Sequence, residues 1–307
     1  SVWSVSDLDK KLQWIKNHFR TVVQILFAAV TNGYAAGFLE GKIYRGNGKR
    51  LCLPGLNCYS CPGALGSCPI GSFQAVIGSR NFKFTFYVAG FLIFIGALCG
   101  RFVCGWLCPF GLVQDLLYRI PFFRKRKKLP GDSWLKYLKY VVLVLFVIIL
   151  PLTVLDVAGQ GQPWFCKLLC PSGMLMGALP LLAVNEPLRS AVGWLFTWKA
   201  VLLILIVLLA LWVYRPFCRY LCPLGAVYGC FNKTAVFRYR IDEEKCVDCG
   251  RCRQACDLDI DVRKTPNSPE CIRCGHCRKA CPTAAICLTA AASEKKRREE
   301  KNTVSGM

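Results

Sequence analysis

Eight cysteines near the C-terminus stand in two runs of identical spacing, Cys246, Cys249, Cys252, Cys256 and then Cys271, Cys274, Cys277, Cys281. Three thiolates two residues apart on a tight loop cap three irons of one cubane, and the fourth ligand must come from elsewhere. When C-x2-C-x2-C-x3-C occurs twice, the trailing cysteine of each run serves the other run's cluster. The spacing therefore locks the two runs into one unit, with Cys246, Cys249, Cys252 and Cys281 expected on one 4Fe-4S cluster and Cys271, Cys274, Cys277 and Cys256 on the other. Zinc takes two pairs of ligands rather than two triplets each trailed by a lone cysteine, so the pattern points to iron. A chain carrying such a unit moves electrons.

That unit is a small part of a much more apolar chain. The 307 residues are 54% apolar, and four stretches almost without charge cover about residues 19–39, 84–98, 139–155 and 194–214. A bilayer core of about 30 Å takes roughly 20 helical residues to cross, somewhat fewer where aromatics sit at the interface. About four spans are expected. A soluble fold with buried core helices fits poorly, because residues 140–150 offer no polar face to water. The first apolar stretch is long and follows a charged amphipathic segment, 7–20, so it reads as a retained anchor rather than a cleaved leader.

The formal charge of +22 raises the question of nucleic acid, but much of it lies beside the spans, as in Arg124-Lys125-Arg126-Lys127-Lys128, and in the tail at 295–298. Basic residues next to spans mark the cytoplasmic side of an inner membrane. Each oxidised cluster with four thiolates also carries roughly two negative charges, so four clusters offset roughly eight positive ones. No nucleic-acid partner is expected. On this reading both termini and the cysteine-rich unit are cytoplasmic, the chain is multi-pass, and residues 40–83 form an outer loop.

Internal repetition adds more. Cys104-Gly-Trp-Leu-Cys108-Pro-Phe-Gly, Cys166-Lys-Leu-Leu-Cys170-Pro-Ser-Gly and Cys218-Arg-Tyr-Leu-Cys222-Pro-Leu-Gly share the frame C-x-x-L-C-P-x-G, and Cys68-Pro69-Ile70-Gly71 repeats its second half. Each is followed by an apolar segment too short to span. Proline suits the first turn of a helix, so each unit reads as thiolates delivered at the N-terminus of a re-entrant half-helix, where the positive dipole end favours an anion. The expected topology pairs Cys104, Cys108, Cys218 and Cys222 at the inner membrane face. Cys68, Cys166 and Cys170 meet at the outer face, completed by Cys61, with Cys58 as the alternate. An isolated pair of this kind is as readily a redox dithiol or a buried thiol; four copies of one frame favour metal ligation. Cys52, Cys99, Cys230 and Cys287 have no frame and read as bystanders.

Histidine is scarce. Only His18 and His276 are present, and no C-x-x-C-H occurs, which argues against haem of either the bis-His or the covalent kind. Gly33-x3-Gly37 would permit close helix packing, and Thr31 and Asn32 are polar at membrane depth, where helix–helix hydrogen bonding is the plainer reading and a quinone or cluster neighbour the sharper one.

Spans alternating with Cys104-Gly-Trp-Leu-Cys108-Pro-Phe-Gly and Cys218-Arg-Tyr-Leu-Cys222-Pro-Leu-Gly, followed by the two cysteine runs closing on Cys281-Pro282-Thr283-Ala284, resemble the NapH-type polyferredoxin membrane subunits of periplasmic nitrate reductase systems. The pattern is also similar to the C-terminal half of NosR-type proteins. The likeness covers about residues 80–290. It implies four spans, cytoplasmic termini, a cytoplasmic two-cluster ferredoxin, and electron exchange between a quinone pool and other redox subunits. The third C-x3-C-P at Cys166/Cys170 and the cysteine-rich loop at 52–68 depart from that pattern and suggest a further, outward-facing cluster. Asp257 follows Cys256 where ferredoxins usually carry proline.

The expected architecture is an all-α transmembrane bundle of about four spans with short re-entrant half-helices (1–236), a C-terminal α+β two-cluster ferredoxin domain (237–290), and a charged, disordered tail (291–307). The expected function is that of an electron-transfer subunit of a membrane oxidoreductase complex, passing electrons between the ferredoxin clusters and a quinone or an extracytoplasmic partner. The alternative is a membrane-bound redox sensor or a metal-centre maturation factor.

Overall fold

The computed structural model describes residues 5–79, 82–121, 124–156, 159–190 and 192–290; the expected tail, 291–307, lies outside them. The chain is helical apart from one two-stranded antiparallel sheet, Phe237–Ile241 against Ile286–Ala290, with Tyr239 opposite Leu288.

Two helices among the described residues are long and apolar enough to cross a membrane, Asp132–Thr153 with 22 residues and Trp194–Trp212 with 19. Trp134, Tyr137, Val141 and Val144 on the first, and Trp194, Val201, Ile204 and Leu208 on the second, are exposed. Faces of this kind suit lipid rather than water. The other expected spans come out shorter, with apolar helical stretches His18–Thr31 and Phe86–Cys99, joined by a third in Pro171–Val184.

The expected 19–39 stretch is broken, and its own polar residues break it. The first helix, Val5–Thr31, ends where Thr31 Oγ1 donates back to Phe27 O at 2.7 Å and Asn32 Nδ2 to Ala28 O at 3.0 Å. The chain then turns, the amide of Leu65 capping Thr31 O and that of Tyr34 donating to Gly63 O. Thr31 and Asn32 thus terminate their own helix instead of bonding a neighbouring one. The Gly33-x3-Gly37 pair is likewise no helix–helix seam: Gly37 is small because a Cβ there would stand 2.4 Å from Pro62 O.

Proline shapes two other helices in the same way. Asp132–Thr153 carries a π-helical stretch, Leu143–Ile149, just before Pro151, and Pro171–Val184 carries one, Met174–Ala178, just before Pro180. A proline inside a helix donates no i→i−4 bond and its ring crowds that carbonyl, so the preceding turn widens.

The 52–70 part of the expected outer loop is largely buried within the protein. Cys52, Leu56, Asn57, Cys61 and Ala64 are buried, and two bonds, Leu53 N to Ser67 O and Ser67 N to Leu51 O, close the segment on itself. Gly55 lets its tip reach the Leu107–Pro109 backbone, since a Cβ would lie 3.0 Å from Leu107 O. Cys68 and Cys170 therefore belong to the same buried core as Cys104, Cys108, Cys218 and Cys222. The two sets, expected on opposite faces, contribute to one continuous core.

The C-terminal unit is docked on that core. Arg101 Nη1 donates to Pro269 O and to Glu270 Oε2, both at 2.9 Å, Lys139 Nζ pairs with Glu270 Oε1, and Trp106 Nε1 donates to Arg273 O at 3.0 Å. Asn232 Nδ2 bonds Cys271 O at 2.7 Å. Cys256, Cys271 and Cys274 pack against the same core as the membrane-segment cysteines.

Candidate iron–sulfur sites

Four cysteines open half-helices in one conformation. Cys68, Cys108, Cys170 and Cys222 are each N-cap residues with extended backbone, and each is followed by proline in the first helical turn. At an N-cap the side chain faces the unsatisfied amides of the first turn. Gly111 N donates to Cys108 Sγ at 3.4 Å, and Cys68, Cys170 and Cys222 present their sulfurs from the same N-cap position. Glycine is required by what lies opposite: a Cβ on Gly111 would meet Cys104 O and Arg215 Nη1 at 3.1 Å, and one on Gly225 would meet Cys218 O at 3.0 Å and Arg101 Nη2 at 3.1 Å. At these two sites the C-P-x-G frame is thus a sulfur cap with a close crossing built in, whereas Gly71 and Gly173 have 3.6 Å of room.

Cys104 and Cys218 come from short helices, Phe102–Trp106 and Pro216–Tyr220. With Cys108 and Cys222 they are buried and lie within electrostatic reach of one another. The two halves are tied by an exchange of arginines. Arg101 Nη2 donates to Cys218 O at 2.9 Å, and Arg215 Nη1 donates to Cys104 O. Arg215 sits in the left-handed region at φ 49°, a conformation that costs about 1–3 kcal/mol. Asp115 holds it there with bonds to Nε and Nη2, both 2.6 Å.

The other membrane-segment set surrounds a cavity of ≈ 720 Å³ lined by Cys58, Cys68, Cys166 and Cys170, with Lys49, Asn57 and Lys199. Cys61, expected as its fourth member, does not line it. Cys61 N bonds Cys58 O in a tight turn, and Cys58 Sγ comes within 3.5 Å of where a Gly177 Cβ would be. Lys199 Nζ donates to Cys166 O at 3.1 Å, the part that Arg101 and Arg215 play at the first site.

In the C-terminal unit, Cys246, Cys249, Cys252 and Cys281 line a cavity of ≈ 180 Å³. Cys271, Cys274 and Cys277 lie within electrostatic reach of Cys256. Both runs use the same backbone device, with Asp248 and Gly250 in one, and Arg273 and Gly275 in the other, at positive φ. Left-handed residues inside a turn aim successive amides inward as an anion nest. Asp257, in place of the usual proline, joins the runs: its Oδ2 lies 3.0 Å from His276 Nδ1.

The donor sets fit cubanes. Each set brings together four thiols and no histidine or carboxylate, the donor type of a 4Fe-4S cluster. Both amide atoms of Asn57, buried beside the Cys58 cavity, lack partners within the protein, an arrangement that a polar or charged group in the cavity would satisfy. Burial pushes the Cys271 and Cys277 thiols up to about 12, so they ionise on taking iron.

Sequence reasoning missed the residues around the sulfurs. The arginines had a signal, since R-x2-C-x3-C-P occurs at Arg101 and at Arg215. Gln74 and Gln114, each six residues after a Cys-Pro cysteine, had one too. Lys199 and Tyr228 had none. Tyr228, fully buried in the core that also holds Cys68, Cys104 and Cys108, donates its hydroxyl to Pro54 O at 3.1 Å.

Comparison with known proteins is consistent with this arrangement. A 4Fe-4S binding domain model matches residues 67–87, 84–130, 138–183 and 194–241, one stretch for each Cys-Pro unit, and a second 4Fe-4S binding domain model matches 239–259. An uncharacterised protein of Methanocaldococcus jannaschii is 30% identical over 212 residues, 67% of this chain and 71% of that one. The putative electron transport protein YccM of Escherichia coli is 31% identical over 176 residues, 56% of this chain and 45% of YccM. The ferredoxin-type protein NapH of Haemophilus influenzae is 28% identical over 174 residues, 54% of this chain and 50% of NapH. The chain thus spans about half the length of these two named relatives. No solved structure matches.

Proposed function

The chain belongs to the 4Fe-4S binding domain family, and from that membership we propose that it is an integral membrane protein conducting electrons through four clusters in a row. The row runs from Cys246/Cys249/Cys252/Cys281 through Cys271/Cys274/Cys277/Cys256 and Cys104/Cys108/Cys218/Cys222 to Cys58/Cys68/Cys166/Cys170. The observation that carries this reading is continuity: the second set packs on the core that holds the third, and Cys68 and Cys170 of the fourth belong to that same core, together with Tyr228. Each cluster supplies a one-electron site. The protein supplies the thiolates, the amides aimed at them, and the cations that offset their charge.

Membrane insertion is supported by the exposed apolar faces of Asp132–Thr153 and Trp194–Trp212. On this proposal the two shorter apolar helices near the N-terminal half complete four spans, both termini are cytoplasmic, and the 237–290 ferredoxin is too. A quinone would exchange electrons beside the first helix. A cavity of ≈ 840 Å³ lined by His18, Phe19, Phe102, Trp106 and Arg119 abuts Cys274, and mostly apolar clefts with a few polar groups suit such ligands. At the far end, the open cavity beside Cys58 suits exchange with an extracytoplasmic redox partner.

Two measurements test the proposal together. Iron and acid-labile sulfide should each number about sixteen per polypeptide; about eight would confine the clusters to the C-terminal unit. Protein reconstituted in liposomes should reduce a dye trapped inside when an electron donor is supplied outside. A full cluster complement without transfer would defeat conduction and favour a sensor.

A further inference from the structure

Two buried glutamines occupy the same position relative to two of the sites. Gln114 Nε2 lies 3.1 Å from Cys218 Sγ, and Phe217 N donates to Gln114 Oε1 at 3.2 Å. Gln74 Nε2 lies 3.6 Å from Cys166 Sγ, and Phe165 N donates to Gln74 Oε1 at 3.0 Å. Each glutamine stands six residues after the N-cap cysteine of its own half-helix, Cys68 or Cys108, and reaches the first cysteine of the opposite half. Both are 0–1% exposed. The amide's orientation is not free: a backbone N–H only donates, so it must face the side-chain oxygen, and that leaves the NH2 toward the sulfur. The second pair of half-helices carries Met176 and Tyr228 at the same offset. The membrane segment is therefore built of two alike sites, each made from one glutamine-bearing half-helix and one without.

We infer that Gln114 and Gln74 are positioning residues that set the reduction potentials of the Cys104/Cys108/Cys218/Cys222 and Cys58/Cys68/Cys166/Cys170 clusters by hydrogen bonding to one thiolate of each. This inference rests on the proposed cluster sites. Reduction adds one electron to the cluster and places more negative charge on its sulfurs, so a donor bonded to a ligating sulfur stabilises the reduced form and raises the potential. Outer-sphere bonds of this kind also fix ligand orientation. The shorter contact, at Cys218, makes its cluster the better electron acceptor of the two as far as this bond alone decides.

The test is a redox titration of the full-length purified protein followed by electron paramagnetic resonance. Gln114→Met keeps volume and removes the donor; it should lower the midpoint of one signal and leave the other three in place. Gln74→Met should lower a different one. In wild-type protein carrying isotope-labelled glutamine side-chain nitrogen, pulsed resonance should detect that nitrogen coupled to a reduced cluster, and Gln114→Met should remove the coupling. Full iron with unchanged midpoints in both variants overturns the inference and leaves the conduction proposal standing. If Gln114→Met loses iron, the labelled wild-type protein decides: a reduced cluster with no coupled glutamine nitrogen overturns the inference, and a coupled one supports it. Wild-type protein with iron only in the C-terminal unit overturns both readings.

Discussion

Arg101 and Cys218, 117 residues apart, are joined by a bond of 2.9 Å from the guanidinium to the cysteine's carbonyl oxygen, and Arg215 returns the gesture to Cys104. Each half of the site is held by the cation that precedes the other half. A guanidinium suits the task because its fork serves several acceptors at once, and Arg101 also reaches Glu270 and Pro269 O. The first site and the docked C-terminal unit thus share one side chain.

Removing that side chain should cost both. Arg101→Leu leaves Glu270 with Lys139 alone in a buried setting, and breaking one arm of a buried pair costs about 3–5 kcal/mol. Thermal unfolding in detergent should show the loss. In a double-mutant cycle with Glu270→Leu the two effects should be far from additive; additive losses would disprove the coupling.

The glycines of the frame predict a contrast between close and open positions. Gly111→Ala or Gly225→Ala pushes a methyl into the arginine–carbonyl crossing at 3.0–3.1 Å, and overpacking of this kind costs about 1–3 kcal/mol. Iron content should fall by one cluster. Gly90, also helical, has nothing within 4 Å of its would-be Cβ, so Gly90→Ala should be neutral or stabilising by up to about 1 kcal/mol. Equal effects at Gly90 and Gly111 would contradict the crossing as the reason for glycine.

Cys58 and Cys61 should separate cleanly. Cys58→Ser should remove about four irons and the resonance signal shifted by Gln74→Met, whereas Cys61→Ser should retain the full count. The reverse result would restore Cys61 as the fourth ligand.

Chelation should proceed from the outside in. Cys249 is exposed and Cys246, Cys252 and Cys281 are partly so, while Cys104, Cys108, Cys218 and Cys222 are buried. An iron chelator under mild oxidation should strip the Cys246/Cys249/Cys252/Cys281 cluster several-fold faster than the buried one, followed as sequential loss of resonance signals. Simultaneous loss would argue that the unit opens as a whole.

Spacing along the chain, read without any structure, was enough to indicate iron–sulfur chemistry, because ligands within one run are related by local backbone geometry: Cys246 to Cys252 and Cys271 to Cys277 turn through the same left-handed residues wherever they occur. Half-helices capped by Cys68, Cys108, Cys170 and Cys222 were legible for the same reason, since proline and an N-cap sulfur act within one turn. Tertiary structure decided which distant runs converge. Cys58 lines the cavity and Cys61 does not; Gln74, Gln114, Arg101 and Lys199 acquire partners about 30–170 residues away; and much of the 52–70 part of the expected 40–83 loop is drawn inside, where its backbone amides and carbonyls find partners. Such outcomes depend on free energies of packing and desolvation summed over many segments, and no single segment carries that sum.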